Sequence, residues 1–371
     1  MTRLPALDGL RAVAAALVVL THAAFLTGTV VTGGLPGRLM GRGDFGVDLF
    51  FALSGFLLHQ RLLHDRREGV TDVRSYLLRR AARVLPAYWV ALAAVVAVTL
   101  PPVRTVVAEV LAVQTYVPGA QIDAFSQSWS IPTELAFYVA LPAVAVGLER
   151  LRVRDARWPV PALVVSALVP LVVLALLPPA ELGVDVLVER WLPFRWADFA
   201  VGMVLAEVAA HPGSALARRV RAVASDTTGC LVVGAATFAL ATTAVAGPLT
   251  LGSVSGPQIS TRILLGALFA LALLAPLTVG DGGAWADLLA RGPVRWVGTV
   301  SFGLFLWHLP VLTGLLALSG LPVFRGGFVP LLVVGVPVSL TLAWLSLRLV
   351  ELPAMRWAAR RSPLPRVPHR G

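Results

Sequence analysis

Long apolar runs recur along this chain and leave few other folds open to it. Ten runs of about 20 residues lie at positions 6–27, 45–64, 84–100, 128–148, 158–178, 186–208, 228–247, 262–279, 294–318 and 328–350. A run of this length crosses the hydrocarbon core of a bilayer as an α-helix. Only 14% of the residues are charged, whereas about a quarter are charged in a soluble domain. The sequence therefore predicts an all-α polytopic membrane protein with about ten transmembrane helices.

One membrane domain accounts for nearly the whole chain. No internal repeat and no large water-soluble region is recognisable, so we assign residues 1–357 to a transmembrane domain and 358–371 to a basic, Pro/Arg-rich cytoplasmic tail. Asp8 and Arg11 interrupt the first apolar run, which is atypical of a signal peptide. Cys230 is the single cysteine, and no Cys/His pair has the spacing of metal ligands. We therefore expect neither an internal disulfide nor a metal site.

The distribution of arginine predicts the orientation in the membrane. The net charge of +11 comes from arginine alone, because the chain contains no lysine. Loops that follow even-numbered runs, together with the tail, hold 21 arginines, and loops that follow odd-numbered runs hold 6. The positive-inside rule then places both termini in the cytoplasm of a multi-pass plasma-membrane protein. Because the charge follows the membrane segments instead of forming one basic face, we expect contacts with membrane lipids and none with nucleic acid.

Arg11 and His22 stand out within the first apolar run. Eleven positions at about 100° each amount to three turns and about 20°, so both side chains point the same way on an α-helix. The axial offset of about 16 Å is roughly half of a hydrocarbon core about 30 Å thick. The spacing predicts a guanidinium near the membrane surface and an imidazole near its middle. An ionisable side chain at that depth is costly and usually serves function.

Other ionisable residues lie in or near the apolar runs, and each has a structural interpretation beside the functional one. They are Asp48, Glu134, Arg195, Asp198, Glu207 and His308. Asp48 is favoured at a helix N-terminus. Arg195 and Asp198 are spaced to neutralise each other. A lone histidine such as His308 is more typical of helix packing than of catalysis.

Two further segments combine residues suited to binding. Arg80 and Arg83 lie three apart on a predicted cytoplasmic surface helix, where they attract anionic lipid or bind phosphates through bidentate contacts. Glu134 and Tyr138 share one helix face at i,i+4 spacing. Trp129 and Ser130 directly precede that face, a combination that helix capping alone does not explain.

These segments, in this order, resemble the acyltransferase-3 family of integral-membrane acyltransferases. Seven motifs in register over about residues 4–357 carry the resemblance: 7–11 with His22, 46–51 with 54–56, Arg80 and Arg83 with 86–89, 129–134 with 137–138, Arg195 with Phe199 and Gly202, 301–308, and 350–353. Phe302 and Phe305 stand where the family often has tyrosine, which removes two hydroxyls. We expect a stand-alone membrane module without the C-terminal hydrolase-like domain of many members.

The resemblance implies transfer of an acyl group, commonly acetyl, from acyl-CoA to an acceptor hydroxyl. Saccharides and macrolide-type natural products are the acceptors that it implies. On the predicted topology, Arg11, Arg80 and Arg83 would bind the coenzyme phosphates. His22 would act as the general base or carry the acyl group, with Glu134 or Asp48 orienting its ring.

The remaining assignments concern the acceptor and two alternative functions. We assign acceptor binding to Trp129, Ser130, Tyr138, Arg195 and His308. One alternative is a transporter or flippase for a lipid-linked or acylated glycan, since ionisable residues also mark transport paths. Against the transporter alternative, the sequence shows neither the paired repeat halves nor the matched broken helices that are typical of transporters. Another alternative is a non-catalytic membrane partner in an envelope-synthesis complex.

Overall fold

The computed structural model describes residues 4–70, 72–176, 188–249 and 254–362. The first seven α-helices are α1 (Pro5–Leu26), α2 (Thr29–Thr32), α3 (Gly34–Gly41), α4 (Phe45–Arg67), α5 (Val73–Thr99), α6 (Val103–Val110) and α7 (Ser130–Arg154). The other nine are α8 (Pro159–Leu176), α9 (Leu192–Ala210), α10 (Ala215–Ser225), α11 (Thr227–Ala241), α12 (Gly256–Thr278), α13 (Gly283–Leu289), α14 (Gly292–Ser319), α15 (Phe328–Ser346) and α16 (Leu352–Arg361). The described residues contain no strand, which agrees with the all-α prediction.

Shorter elements join several of these helices. They are the 3₁₀ helices Gln114–Tyr116, Asp123–Trp129, Val188–Arg190 and Ala244–Ala246, and one π-helical turn, Leu347–Glu351. Residues 363–371 of the predicted tail lie outside the described residues. The same holds for the end of the fifth predicted span, 177–178, and the start of the sixth, 186–187.

Seven of the helical segments are long and apolar enough to cross a membrane, by length and composition. Segments Val188–Ala210 and Ala215–Ser225 meet at 113° and would give an eighth if counted as one broken span. The predicted count of ten is therefore not confirmed. Of the two remaining predicted spans, α4 carries Asp48, Arg61 and Asp65, and α11 is only 15 residues long.

Small residues set the closest helix contacts. Helix α4 packs most extensively against α9, and α1 packs against α14. A methyl group added to Gly55 would overlap the carbonyl of Phe199, and one added to Gly202 would overlap that of Ala52. These two glycines therefore allow the backbones of α4 and α9 to approach closely, as small residues do in membrane helix pairs.

An aromatic stack fills the space between α4, α7 and α9. The ring of Phe199 stacks on Phe51 with centroids 4.4 Å apart and on Phe137 with centroids 4.1 Å apart. All three rings are buried. Because aromatic pairs of this kind fix ring positions as well as burying area, the stack holds the polar side chains beside it on these three helices in place.

The start of α5 is held by polar contacts. The backbone N–H of Ser75 donates to Asp72 at 3.1 Å, an N-cap that also keeps the pKa of Asp72 below its usual range. Arg79 donates to the carbonyl of Ser362 at 3.0 Å, which ties α5 to the end of α16. These contacts position the segment that carries Arg80 and Arg83.

Candidate active site

Four arginines line a cavity of about 350 Å³ between α1, α4, α5, α7 and α14. They are Arg11, Arg61, Arg80 and Arg83, and we call this space the arginine cavity. It extends along α4 from Val47 to Arg61, toward the end of that helix. One carboxylate, Glu134, lines the same space. The cavity wall therefore carries a clear excess of positive charge.

Neighbouring carboxylates compensate three of the arginines from outside the cavity wall. Arg11 pairs with Asp8 at 2.8 Å, Arg61 pairs with Asp65 at 2.9 Å, and Arg83 pairs with Glu351. Arg80 has no ion pair among the residues that the structure describes. It is therefore the least compensated of the four cations that line the cavity.

Glu134 accepts two hydrogen bonds across the cavity wall. The hydroxyl of Ser54 donates to Glu134 Oε1 at 2.8 Å, and the hydroxyl of Tyr138 donates to the same oxygen at 2.6 Å. The i,i+4 spacing of Glu134 and Tyr138 thus brings the two side chains into contact, as the sequence predicts. These contacts join α4 to α7 and fix one polar wall of the cavity.

Phenylalanine rings form the apolar part of the wall. Phe50, Phe51, Phe302 and Phe305 line the cavity, and the guanidinium of Arg83 lies 5.4 Å from the Phe302 ring centroid. The two positions at which the family often has tyrosine therefore both face this space. The ring of Phe305 also lies beside that of His308, with centroids 6.1 Å apart.

His22 and His308 contact each other between α1 and α14. His308 Nε2 lies 3.1 Å from His22 Nδ1, and the ring centroids are 5.0 Å apart. His308 is fully buried and His22 is half-buried. Arg11, on the same helix as His22, lines the cavity together with Ser301 of α14. Both α1 side chains therefore lie on the side that packs against α14, as their spacing predicts.

Hydrogen bonding assigns the proton positions on this histidine pair. His22 Nδ1 lies 2.8 Å from the carbonyl oxygen of Val18, and His308 Nδ1 lies 3.0 Å from that of Leu304. A carbonyl oxygen only accepts, so both Nδ1 atoms carry a proton when the rings are neutral. His308 Nε2 then accepts from the N–H of His22. The lone pair of His22 resides on Nε2, which is the nitrogen available to act as a base.

Neither carboxylate that we expected to orient His22 contacts it. Glu134 is engaged by Ser54 and Tyr138, and Asp48 pairs with Arg195 at 2.7 Å. The described structure therefore gives His22 no hydrogen bond with Glu134 or Asp48. His308, assigned from the sequence to acceptor binding, occupies that position instead.

A second, smaller cavity of about 200 Å³ lies where α4, α9 and α12 begin. Its wall contains Trp129, three carboxylates and three arginines, and we call it the mixed-charge cavity. The charged residues are Asp44, Asp48, Glu189, Arg190, Arg195 and Arg262. Arg195 pairs with Asp48 and lies 3.4 Å from Asp198, so the predicted i,i+3 contact is present.

Two aromatic rings separate the cavities. Trp129 lines the mixed-charge cavity and packs edge-on against Phe51 of the arginine cavity, with centroids 6.2 Å apart. The guanidinium groups of Arg190 and Arg195 lie 5.4 and 5.1 Å from the Trp129 ring centroid. Cation–π contacts of this kind hold the indole between the two spaces.

The structure divides the predicted site residues among three places. The arginine cavity contains Arg11, Arg80, Arg83, Ser130, Glu134 and Tyr138. The mixed-charge cavity contains Asp48, Trp129 and Arg195, and His22 contacts His308. Sequence reasoning missed Arg61, Asp44, Glu189, Arg190 and Arg262. The available signal was their position at the ends of apolar runs, which is equally typical of residues that only mark a membrane surface.

Other charged groups form structural pairs. Glu207 accepts from Arg152 at 2.6 Å and lies 2.7 Å from His59, and all three are remote from both cavity walls. The described residues contain no group of three or more His, Cys, Asp or Glu side chains that could hold a metal ion.

Comparisons with known proteins find one matching family and several relatives. The family described as "Acyltransferase domain" matches residues 4–348. A protein of Staphylococcus aureus (strain COL), provisionally named an O-acetyltransferase, is 31% identical over 166 residues, which are 40% of this chain and 26% of that protein. O-acetyltransferase OatA of S. aureus (strain NCTC 8325 / PS 47) is 25% identical over 378 positions, covering 94% of this chain and 57% of OatA. This chain thus spans little more than half of the length of OatA and about a quarter of the other protein. No solved structure matches.

Proposed function

Because this chain belongs to the acyltransferase-3 family, which matches residues 4–348, we propose that it is a multi-pass membrane O-acyltransferase that uses acyl-CoA as its donor. One observation carries the proposal. A cavity lined by four arginines has Phe305 in its wall, and the Phe305 ring lies beside His308, which contacts His22 and leaves the Nε2 of His22 without a proton. A polyanionic coenzyme and a base for an incoming hydroxyl thus have adjacent places in the fold.

Donor binding is assigned to the arginine cavity. Arg80 and Arg83 lie on one helix face, and Arg11 approaches them from α1. Guanidinium groups suit phosphate because they donate two parallel hydrogen bonds and remain charged. The phenylalanine rings of the wall suit the less polar thioester arm of the donor. Acetyl is the acyl group that we favour, because both relatives are named as O-acetyltransferases.

Base catalysis is assigned to His22. Its Nε2 takes the proton of the acceptor hydroxyl as the hydroxyl oxygen attacks the thioester carbonyl carbon. The carbon–sulfur bond then breaks, and the proton passes to the coenzyme thiolate. His308 is a positioning residue, because its Nε2 shares the Nδ1 proton of His22 with the Val18 carbonyl and so helps to hold the imidazole ring in place. Glu134 lies in the donor cavity and is assigned to hold the polar wall around the thioester.

The orientation follows from the same assignment. Acyl-CoA is cytosolic, so the arginine cavity must open toward the cytoplasm, with both termini on that side. The clustering of Arg61, Arg79, Arg80 and α16 at one end of the bundle agrees with the arginine distribution between loops. We place the protein in the plasma membrane with ten crossings, counting α4 and α11 as spans. A saccharide or a macrolide-type product is the acceptor.

Purified full-length protein tests the proposal directly. Incubation with radiolabelled acetyl-CoA and a panel of saccharides and macrolides should transfer label and release free CoA thiol. Reconstituted vesicles loaded with the same acceptors provide the second arm. Movement of an acceptor across the membrane without its acylation would contradict the proposed enzyme and support a transporter.

A further inference from the structure

The mixed-charge cavity contains a carboxylate, Glu189, that accepts no hydrogen bond from any described residue, although the charges of Arg190, Arg195 and Arg262 on the same wall act on it. Asp48 pairs with Arg195 at 2.7 Å, Asp44 lies 3.5 Å from Arg42, and Arg190 donates to Gln121 at 2.7 Å. Glu189 is only 8% exposed, yet it makes no hydrogen bond and no ion pair with any described residue. Arg262, on the same wall, likewise has neither.

Leaving a buried carboxylate without donors is costly. A buried polar group without a hydrogen bond destabilises the fold, and a buried charge does so more strongly. Functional sites are where such groups are retained, because a ligand supplies the missing hydrogen bonds. Glu189 requires donors and Arg262 requires acceptors. A hydroxyl provides both, whereas a simple anion or cation would satisfy only one of the two.

The cavity is also positioned for the reaction. Asp48 and Arg61 lie 13 residues apart on α4, so the mixed-charge cavity is about 20 Å from the far end of the arginine cavity. The Phe51–Trp129 contact separates the two spaces. The mixed-charge cavity therefore lies across these two rings from the arginine cavity, at the other end of α4 from Arg61.

We propose that the mixed-charge cavity binds the hydroxyl-bearing acceptor as a single sugar-sized unit, entering from the end of the bundle opposite the arginine cavity. This inference rests on the proposed function and specifies its acceptor. A volume of about 200 Å³ is below the roughly 300–1,000 Å³ of pockets that enclose drug-sized ligands. It suits a monosaccharide ring and excludes enclosure of a macrocycle.

The transfer step is balanced without a further reactant. The acceptor O–H bond and the thioester C–S bond break, and an ester C–O bond and a coenzyme S–H bond form. His22 Nε2 takes the proton from the acceptor hydroxyl oxygen and gives it to the coenzyme sulfur. Glu189 and Arg262 hold other hydroxyls of the acceptor and so direct one of them past Trp129 toward the thioester.

Cysteine protection tests where each ligand binds. In a Cys230→Ser background, Leu57→Cys reports on the arginine cavity and Gln121→Cys reports on the mixed-charge cavity beside Arg190. A maleimide reagent is applied with acetyl-CoA, N-acetylglucosamine, methyl glucoside or erythromycin. We expect acetyl-CoA to protect Leu57→Cys only and the two sugars to protect Gln121→Cys only.

Kinetics provides the second measurement. Glu189→Gln and Arg262→Gln should each raise the sugar KM about tenfold or more, because a hydrogen bond to a charged group is lost. The KM for acetyl-CoA should stay unchanged, which also shows that each variant is folded. Glu68→Gln, an exposed carboxamide substitution, is the matched control and should change neither constant.

The outcomes separate this inference from the proposed function. If acetyl-CoA protects Leu57→Cys and is turned over, but no sugar protects Gln121→Cys, the acceptor site is wrong and the enzyme assignment stands. Protection of Gln121→Cys by erythromycin alone would overturn the sugar-sized acceptor. If acetyl-CoA neither protects nor is consumed, the proposed function itself fails.

Discussion

The arginine cavity and the mixed-charge cavity share the wall of α4 but differ in charge. The first presents four arginines and one carboxylate, and the second presents three of each. An excess of positive charge suits a polyanion such as acyl-CoA, whereas a balanced set suits a neutral, hydroxyl-rich molecule. The difference teaches that one bundle can present two spaces of different charge at the two ends of α4, with the rings of Phe51 and Trp129 packed between them.

The largest effect on turnover is expected from a substitution of His22. His22→Ala should lower kcat about 10²–10⁴-fold, because it removes the proposed general base. Acetyl-CoA and the sugars should still protect their respective reporter cysteines. The measurement is acceptor-dependent release of CoA thiol, with His64→Ala as the control at the end of α4. Normal turnover by the His22 variant would show that His22 is not the base that acts on substrates bound in the two cavities.

A loss confined to the donor side comes next. Arg80→Ala should raise the KM for acetyl-CoA about 10- to 100-fold, since charge-assisted contacts to phosphate are worth about 1.5–3 kcal/mol. The sugar KM should not change. Arg11→Ala should have a similar but smaller effect, because Arg11 is already paired with Asp8. Arg291→Ala, at an exposed loop position, is the matched control, and an equal loss in that variant would show nonspecific electrostatics.

Substitutions of His308 test whether this residue positions the His22 ring. His308→Phe removes one of the two acceptors of the His22 Nδ1–H, leaving only the Val18 carbonyl, and should lower kcat about tenfold, with both KM values unchanged. His308→Gln can present an oxygen to the same N–H and should restore most of the activity. Rescue by glutamine would distinguish positioning from simple packing, whereas equal loss in both variants would contradict it.

The smallest effect concerns the scaffold that both cavities share. Gly55→Ala should destabilise the protein by about 1–3 kcal/mol, because the added methyl group overlaps the carbonyl of Phe199. Thermal unfolding in detergent measures the change. Gly147→Ala, where an added methyl meets nothing within 4 Å, is the control. Equal stability of the two variants would show that the α4–α9 contact yields easily.

Contacts within single helices could be predicted from the sequence. The shared face of Arg11 and His22, the Glu134–Tyr138 contact and the Arg195–Asp198 contact all follow from the helical period. The all-α class follows from apolar run length. The number of spans could not be predicted as well. Helix α4 carries charged residues, which lower its apparent hydropathy, but several of them are paired or buried inside the bundle and so do not exclude a membrane location.

Contacts between helices could not be predicted in the same way. His22 meets His308 across 286 positions, and Asp48 meets Arg195 across 147. Glu134 was a reasonable partner for His22 by composition alone, yet it is held by Ser54 from α4. No periodicity within one helix contains information on which of these distant pairs forms.

The sequence by itself determined the membrane class, the side chains that share each helix face, and the motifs that place the chain in its family. Only the tertiary structure decided that the polar residues separate into two cavities, that a second histidine contacts His22, and that Glu189 is largely buried yet accepts no hydrogen bond from a described residue. The physical reason is that helix geometry fixes neighbours within about four residues. Contacts between helices depend instead on close approach at small residues such as Gly55 and Gly202 and on the packing of the rings between them.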